Sequence, residues 1–230
     1  MTDSVGRGAS VAIGLATGVV IIAVSLVPFL NPVWVAFEQG RSGALVATGY
    51  TADELRTATD SILSDLIFGP PAFDVTVRGQ AVLNERERRH MRDVRGVFAG
   101  FAAVALVGVA ILAGGWLATR SRPGARADFR RAIRRGATGL GVGIVGAGIL
   151  SMVAFDTLFE LFHRIFFAGN YTFDPNTERL VQLFPFGFWS ETAFAVGGVI
   201  LVLALGVRTT ARPGSGRPSG PTAVPVRAAG

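Results

Sequence analysis

Four long apolar segments, separated by polar or charged stretches, dominate the pattern of this chain. They cover residues 9–30, 96–118, 136–157 and 191–207. Each approaches or reaches the roughly 20 residues that a helix needs to cross a membrane, and none carries a charge near its middle. The first is too long for the apolar region of a cleaved signal peptide, and no small-residue cleavage site follows it. The pattern therefore predicts an all-α polytopic membrane protein with four transmembrane helices.

Charge is distributed unevenly between the connecting segments. Residues 119–135 carry seven arginines and one aspartate, and four more arginines follow the fourth apolar segment. Residues 31–95 are nearly balanced, with nine acidic and eight basic residues. Because positive residues accumulate in cytoplasmic loops, both termini and the arginine-rich loop are predicted to face the cytoplasm. Anchoring against anionic lipid accounts for this basic charge, so nucleic acid is not an expected partner.

These two patterns together predict how the chain is organised, as two pairs of spans joined on the cytoplasmic side. The predicted parts are 1–118, with two spans and an extracytoplasmic cap at 31–95; 119–135, a cytoplasmic loop; 136–210, with two spans and an aromatic outer loop at 158–190; and 211–230, a disordered cytoplasmic tail rich in Pro, Gly and Ser.

The cap has its own predicted elements, mostly helical. Thr51 precedes Glu54 by three residues, which is the spacing of a capping box at a helix start. The stretch "FDVTV-RG-QAVL" alternates apolar and polar residues around a turn and suggests a short β-hairpin. Asn84 and Glu87 indicate a second helix start, from which the chain continues without a break into the second span.

The chain has two histidines, and both are predicted to lie at the outer ends of spans. His90 falls about 9 Å outside the apolar core of the second span at 1.5 Å per residue, and His163 lies just beyond the third span. Glu87 and Asp93 are three residues from His90, and Glu160 is three residues from His163. On a helix these spacings place carboxylate and imidazole on one face. Such pairs can supply a general base oriented by a carboxylate and a second imidazole that donates a proton. Alternatively, each histidine only anchors its helix at the interface.

The outer loop holds nine aromatic residues between positions 161 and 190. Aromatic residues favour the headgroup level, so the loop either fixes helix depth or roofs the bundle and gives lipid chains access to His163. The predicted lipid- or substrate-lining residues are Phe162, Phe166, Phe167, Tyr171, Phe173 and Trp189.

The composition excludes cysteine-based sites, and the position of one glycine motif argues against a dinucleotide-binding site. The chain has no cysteine, which excludes disulfides and thiolate metal sites. The stretch "GVGIVG" fits a dinucleotide-binding pattern but lies inside an apolar span without a preceding strand, so it indicates close helix packing.

Three strings, "ERRHMRDVRGVF", "FELFHRIFFAGNYTFDP" and "ERLVQLFPFGFW", occur in this order among the four spans. In this respect the chain resembles the bacterial lipoprotein intramolecular transacylase family and its uncharacterised integral membrane relatives. The resemblance implies a bacterial cytoplasmic membrane protein. Its partners would be membrane lipids and lipoprotein N-termini, and it implies neither a metal nor another cofactor.

The resemblance also implies a reaction. An acyl chain would move from the diacylglyceryl group of a lipoprotein's N-terminal cysteine to the α-amine of that cysteine, leaving a lyso-form lipoprotein. His163 would take the amine proton, oriented by Glu160. His90, with Asp93 or Glu87, would protonate the leaving glycerol oxygen or stabilise the oxyanion.

Two alternatives stay open at this point. The two Glu-x-x-His pairs could bind metal in a hydrolase or oxidoreductase, or the protein could be a non-catalytic membrane scaffold.

Overall fold

The computed structural model describes residues 5–167, 169 and 171–212. In chain order the helices are α1 (Arg7–Leu26), α2 (Pro32–Ser42), α3 (Ala44–Thr48), α4 (Ala52–Ile67), α5 (Glu85–Thr119), α6 (Pro123–Phe166), α7 (Arg179–Leu183) and α8 (Phe186–Thr210). A 3-10 helix, Val27–Leu30, follows α1, and two strands, β1 (Thr76–Val77) and β2 (Gln80–Ala81), lie between α4 and α5.

The four apolar segments form four long helices, and the predicted fold class is confirmed. α1 together with the 3-10 helix, α5, α6 and α8 are each long and apolar enough to cross a membrane. α1 packs against the other three, and α6 also packs against α8. Charged turns extend α5 and α6 well past their apolar segments.

The arginine-rich segment 119–135 was predicted as a loop, and this is wrong for most of its length. α6 begins at Pro123 and is helical through the arginines. Pro is favoured at the first helical position, and Ala and Arg are good helix formers. Phe129 and Ala132 are buried against Ile13 of α1, and this packing stabilises the early turns. The predicted disordered tail lies outside the described residues from position 213 onward.

The contact between α1 and α6 depends on glycine. A Cβ atom built on Gly136 would overlap the backbone of Gly14. The helix backbones can approach this closely because Gly136 lacks a side chain, whereas a Cβ atom on Gly14 would make only ordinary contacts at 3.6 Å. The close helix packing predicted for the "GVGIVG" stretch is wrong at that position, because a Cβ atom on Gly139, Gly141, Gly143 or Gly146 would meet no other atom within 4 Å. The close approach lies earlier in α6, at Gly136.

The outer cap consists of α2, α3, α4 and the hairpin. Capping boxes are present at Thr51 and Asn84, as predicted. The hairpin is also confirmed, and its turn residues Arg78 and Gly79 both have positive φ, 53° and 71°. Positive φ at both central residues gives the tight turn whose twist suits a two-residue hairpin loop.

The predicted aromatic outer loop shares its core with the cap. Leu180 and Leu183 of α7, together with Phe184 and Phe188, are buried in one apolar cluster with Ile62 of α4 and other cap residues. Burial of each such side chain contributes about 1.5–3 kcal/mol. The loop is therefore held by the cap, and this contact positions the residues before α7 over the outer ends of α5 and α6.

Candidate active site at the outer ends of α5 and α6

The two histidines lie side by side. His90 is in the second turn of α5, and His163 is in the last turn of α6. Their ring centroids are 6.0 Å apart and the ring planes differ by 18°. Residues 73 positions apart in sequence thus form one imidazole pair, and a single reacting group can contact both rings.

Aromatic side chains surround the imidazole pair. Phe167 contacts both rings, with centroids 4.7 Å from His90 and 5.3 Å from His163. Phe173 lies 5.2 Å from His90, and Tyr171 lies 5.6 Å from His163. An apolar wall of this kind limits water near the rings and suits a substrate with hydrocarbon chains.

The six residues predicted to line the site divide into two groups. Phe162, Phe167, Tyr171 and Phe173 contact a histidine ring. Phe166 instead stacks on Phe162 and is 51% exposed, and Trp189 packs on Phe159 and Phe184. These two aromatic residues form an outer layer around the site.

His163 is oriented by a backbone carbonyl. Its Nδ1 lies 2.8 Å from the carbonyl oxygen of Phe159, one turn earlier in α6. A carbonyl only accepts, so Nδ1 carries the proton and Nε2 is left as the basic nitrogen. The predicted orienting residue, Glu160, is exposed and makes no hydrogen bond to His163 among residues 5–167, 169 and 171–212. The group that orients His163 is therefore the Phe159 carbonyl and not the Glu160 carboxylate that spacing predicted.

Glu87 does not orient His90, contrary to the expectation from spacing. Its carboxylate is 1% exposed, and it accepts hydrogen bonds from the N–H groups of Asn84 and Leu180, both at 2.7 Å. The first closes the capping box of α5, and the second fixes the start of α7. Glu87 thus joins the histidine-bearing end of α5 to the segment that covers it.

Asp93, the other carboxylate predicted near His90, is exposed. Within the described parts of the chain it takes part in no hydrogen bond or ion pair. His90 itself is 5% exposed. Burial between α5 and the aromatic residues, rather than Asp93, positions its ring.

Sequence reasoning missed the pair Arg86–Glu178. The Arg86 guanidinium binds both Glu178 oxygens at 2.5 Å and lies 4.7 Å above the ring of Phe173. Phe173 in turn contacts His90. One signal was available, because Arg86 and His90 are four residues apart and share a helix face.

Glu178 is the acceptor that holds this arrangement together. Burial raises its pKa, but hydrogen bonds from Arg86, from the Asp174 N–H and from Asn84 outweigh burial and leave the pKa below its usual value. The carboxylate therefore stays ionised at neutral pH and ties residues 173–178 to α5.

The two Glu-x-x-His pairs do not assemble a metal site. Such a site requires both glutamates to face the histidines, whereas Glu87 accepts two backbone N–H groups and Glu160 is exposed. Across the part of the chain that the structure describes, no three His, Asp or Glu side chains could share one ion.

Solved structures share this architecture. The membrane integral lipoprotein intramolecular transacylase Lit from Bacillus cereus is 17% identical, with a TM-score of 0.72 over 89% of this chain and 93% of that chain. Two variants of that protein, with one histidine replaced by arginine or by alanine, are each 18% identical with a TM-score of 0.72. They match 89% of this chain and 89% or 91% of their own. At this level of identity the likeness shows a common fold.

Sequence comparison gives the family. Curated proteins gave no match, but the family model described as lipoprotein intramolecular transacylase Lit matches residues 11–189. This range includes three of the four long helices, the cap, the outer loop and both histidines. The chain belongs to the lipoprotein intramolecular transacylase family.

Proposed function

We propose that the protein moves an acyl chain within a bacterial lipoprotein, from the diacylglyceryl group to the α-amine of the N-terminal cysteine, using His163 and His90. The product is an N-acylated lyso-form lipoprotein. Family membership supports the reaction, and the imidazole pair supports the assignment of the two residues.

The observation that carries the assignment is the 6.0 Å separation of two histidine rings inside an aromatic enclosure. Acyl transfer to an amine requires one group that removes a proton and one that supplies it. Each ring can reach a different oxygen or nitrogen of one bound ester and amine. The chain has no other histidine.

The reaction can be written with its protons accounted for. The amine nitrogen attacks the ester carbonyl as Nε2 of His163 takes the amine proton. A nitrogen–carbon bond forms, and the bond between the carbonyl carbon and the glycerol oxygen breaks. The imidazolium form of His90 protonates that oxygen, which leaves as a free hydroxyl. Passage of a proton from His163 to His90, directly or through water, restores the starting state.

Much of the rate enhancement would come from proximity. Donor ester and acceptor amine belong to the same molecule, so holding them in one site makes the transfer effectively unimolecular. Such positioning can supply about 7–11 kcal/mol of the barrier. Lipid chains would enter from the side of the half-exposed His163, which lies next to exposed Phe162 and Phe166.

The protein is an integral membrane protein of bacterial type, and we infer its orientation from charge. An even number of spans places both chain termini on one side, together with the arginines between α5 and α6. Positive residues favour the cytoplasmic side, so the histidines, at the opposite helix ends, would face outward, where the acylated cysteine of a lipoprotein lies.

The test is expression in a bacterial host that lacks lipoprotein N-acylation, with N-terminal lipopeptides identified by mass spectrometry. Wild type is expected to convert diacylglyceryl-cysteine to a form with one acyl chain on the amine and one on glycerol. His163→Ala and His90→Ala are each expected to leave the starting lipoprotein.

A matched control is Glu160→Gln, three residues before His163 on the same helix. It is expected to keep full conversion because Glu160 is exposed and, in the described part of the chain, makes no hydrogen bond to His163. Conversion by both histidine variants, at wild-type membrane levels, would refute the imidazole assignment. Absence of conversion by the wild type would refute the reaction itself.

A further inference from the structure

A second surface feature lies at the opposite end of the molecule from the histidines. It is a groove of about 820 Å³ between the first half of α1 and the early turns of α6. Positions 135 and 163 are about 40 Å apart along α6 at 1.5 Å per residue. The groove is therefore separate from the candidate active site, and transfer between ester and amine does not involve it.

Glycine opens this groove. Gly14 and Gly136 bring the helices into backbone contact, as described above. One turn further along each helix, Gly18 and Gly139 also line the groove, and a Cβ atom on either would meet no other atom within 4 Å. Their missing side chains leave an open channel between the two helices.

The floor of the groove is apolar along several turns. Val11, Leu15, Val19 and Leu140 line it, and Val11 and Leu15 are 57% and 68% exposed. Its volume falls within the roughly 300–1,000 Å³ of small-molecule sites. A floor of this length and character suits a hydrocarbon chain lying parallel to α1.

One end of the groove is basic. Its charged lining residues are Arg7, Arg131 and Arg135 with Asp128, three positive charges against one negative, which leaves a net charge of +2. Asp128 is paired with Arg131 and also accepts the N–H of Val5. Within residues 5–167, 169 and 171–212, Arg7 and Arg135 make no ion pair or hydrogen bond, although Arg135 also attracts Asp128 electrostatically.

We propose that this groove binds one anionic glycerophospholipid. Arg7 and Arg135 would hold the phosphate, and an acyl chain would lie along the floor between Gly18 and Gly139. With the orientation inferred above, the lipid belongs to the cytoplasmic leaflet. Charge complementarity selects this occupant over a second copy of the chain, because the same face of another molecule would bring like positive charge against it.

The experiment uses the purified full-length protein in detergent micelles, titrated with phosphatidylglycerol, and counts bound lipids by native mass spectrometry. One phosphatidylglycerol molecule is expected to bind with higher affinity than phosphatidylcholine. A double variant, Arg7→Gln with Arg135→Gln, is expected to weaken binding about 25-fold, since each arginine near an anionic lipid contributes about a factor of five.

A second variant tests the acyl channel without altering charge. Gly139→Leu would fill the groove while meeting no atom of the protein at its Cβ position, and it is expected to reduce phosphatidylglycerol binding by a similar factor. Gly143→Leu is the matched control, because Gly143 is an exposed glycine of the same helix that does not line the groove and has no neighbour within 4 Å. It is expected to bind lipid as the wild type does.

Three results would overturn the proposal. Equal weakening by Arg126→Gln, an exposed arginine outside the groove, would mean that the protein attracts anionic lipid by general charge alone. Displacement of the lipid by millimolar inorganic phosphate, or unchanged binding by Gly139→Leu, would mean that no acyl chain occupies the groove.

Discussion

His90 and His163 meet at one point but are held in different ways. His90 is 5% exposed and lies at the start of α5 beneath the segment from Phe173 to Leu180, which Glu87 and Glu178 bind to the helix. His163 is half-buried on the last turn of α6. Within residues 5–167, 169 and 171–212, the hydrogen bond of its Nδ1 is to its own helix, at the Phe159 carbonyl.

This difference assigns different tasks to the two rings. The position of His90 depends on contacts between distant segments, so it is fixed relative to the cap. His163 is positioned locally and borders exposed aromatic residues, so we expect a lipid chain to reach this ring first. Substitutions that disturb the long-range contacts around His90 without touching His163 would test this difference.

The largest effect is expected from the rings themselves. His163→Ala and His90→Ala should each lower transacylation by about 10²–10⁴-fold, the usual contribution of one acid–base group. His90→Ala should lower the unfolding temperature more than His163→Ala, because His90 is buried whereas His163 is only half-buried. Lipopeptide mass spectrometry measures the first quantity and thermal unfolding in detergent the second. Equal losses of stability would contradict the comparison.

The next largest effect is expected from Glu87→Ala. It removes the acceptor of two backbone N–H groups, and each buried donor left without a partner costs about 1–3 kcal/mol. Because the Leu180 N–H is one of them, the cover over His90 should loosen and activity should fall with stability. Thermal unfolding and lipopeptide conversion measure both. Full activity with unchanged stability would show that this bond does not position the site.

Glu178→Gln should have an intermediate effect, with activity lowered about tenfold, the loss expected when one charge-assisted contact is weakened. The pKa of Glu178 is below its usual value in the folded protein. Its stabilising contribution is therefore fully present above the ordinary glutamate pKa and is lost as pH falls below it.

The measurement is the difference in unfolding temperature between wild type and Glu178→Gln as a function of pH. The difference should be constant near neutral pH and should shrink below about pH 4.5, the ordinary pKa of a glutamate. Other carboxylates cancel in this subtraction, including Glu54, whose pKa the hydrogen bond from Arg78 lowers to about 2. A difference that grows on acidification would contradict the assignment.

The smallest effects are expected from Glu160→Gln and Asp93→Asn. Both side chains are exposed, and neither has a described contact with a histidine. Each should change stability by less than about 0.5 kcal/mol and leave transacylation near the wild-type level. A tenfold loss of activity in either variant would restore the carboxylate roles that the spacing suggested.

The sequence by itself determined the four long helices, the cap's capping boxes, its hairpin and the two histidines as the candidate chemistry. These features depend on local patterns, such as apolar length, three-residue spacing and turn residues. The helix within residues 119–135 was missed because arginines occur both in linkers and on helix surfaces. A helix is distinguished by the residues that its other face buries, and here Phe129 and Ala132 are buried against α1.

The tertiary structure alone decided which groups meet. Spacing within one helix placed Glu87 beside His90 and Glu160 beside His163. It could not reveal that the Leu180 N–H, 93 positions from Glu87, donates a hydrogen bond to one Glu87 oxygen, or that Glu178 pairs with Arg86. A carboxylate binds whichever donor the fold brings to it, and the packing of α7 and the outer segment on the cap brings those donors together.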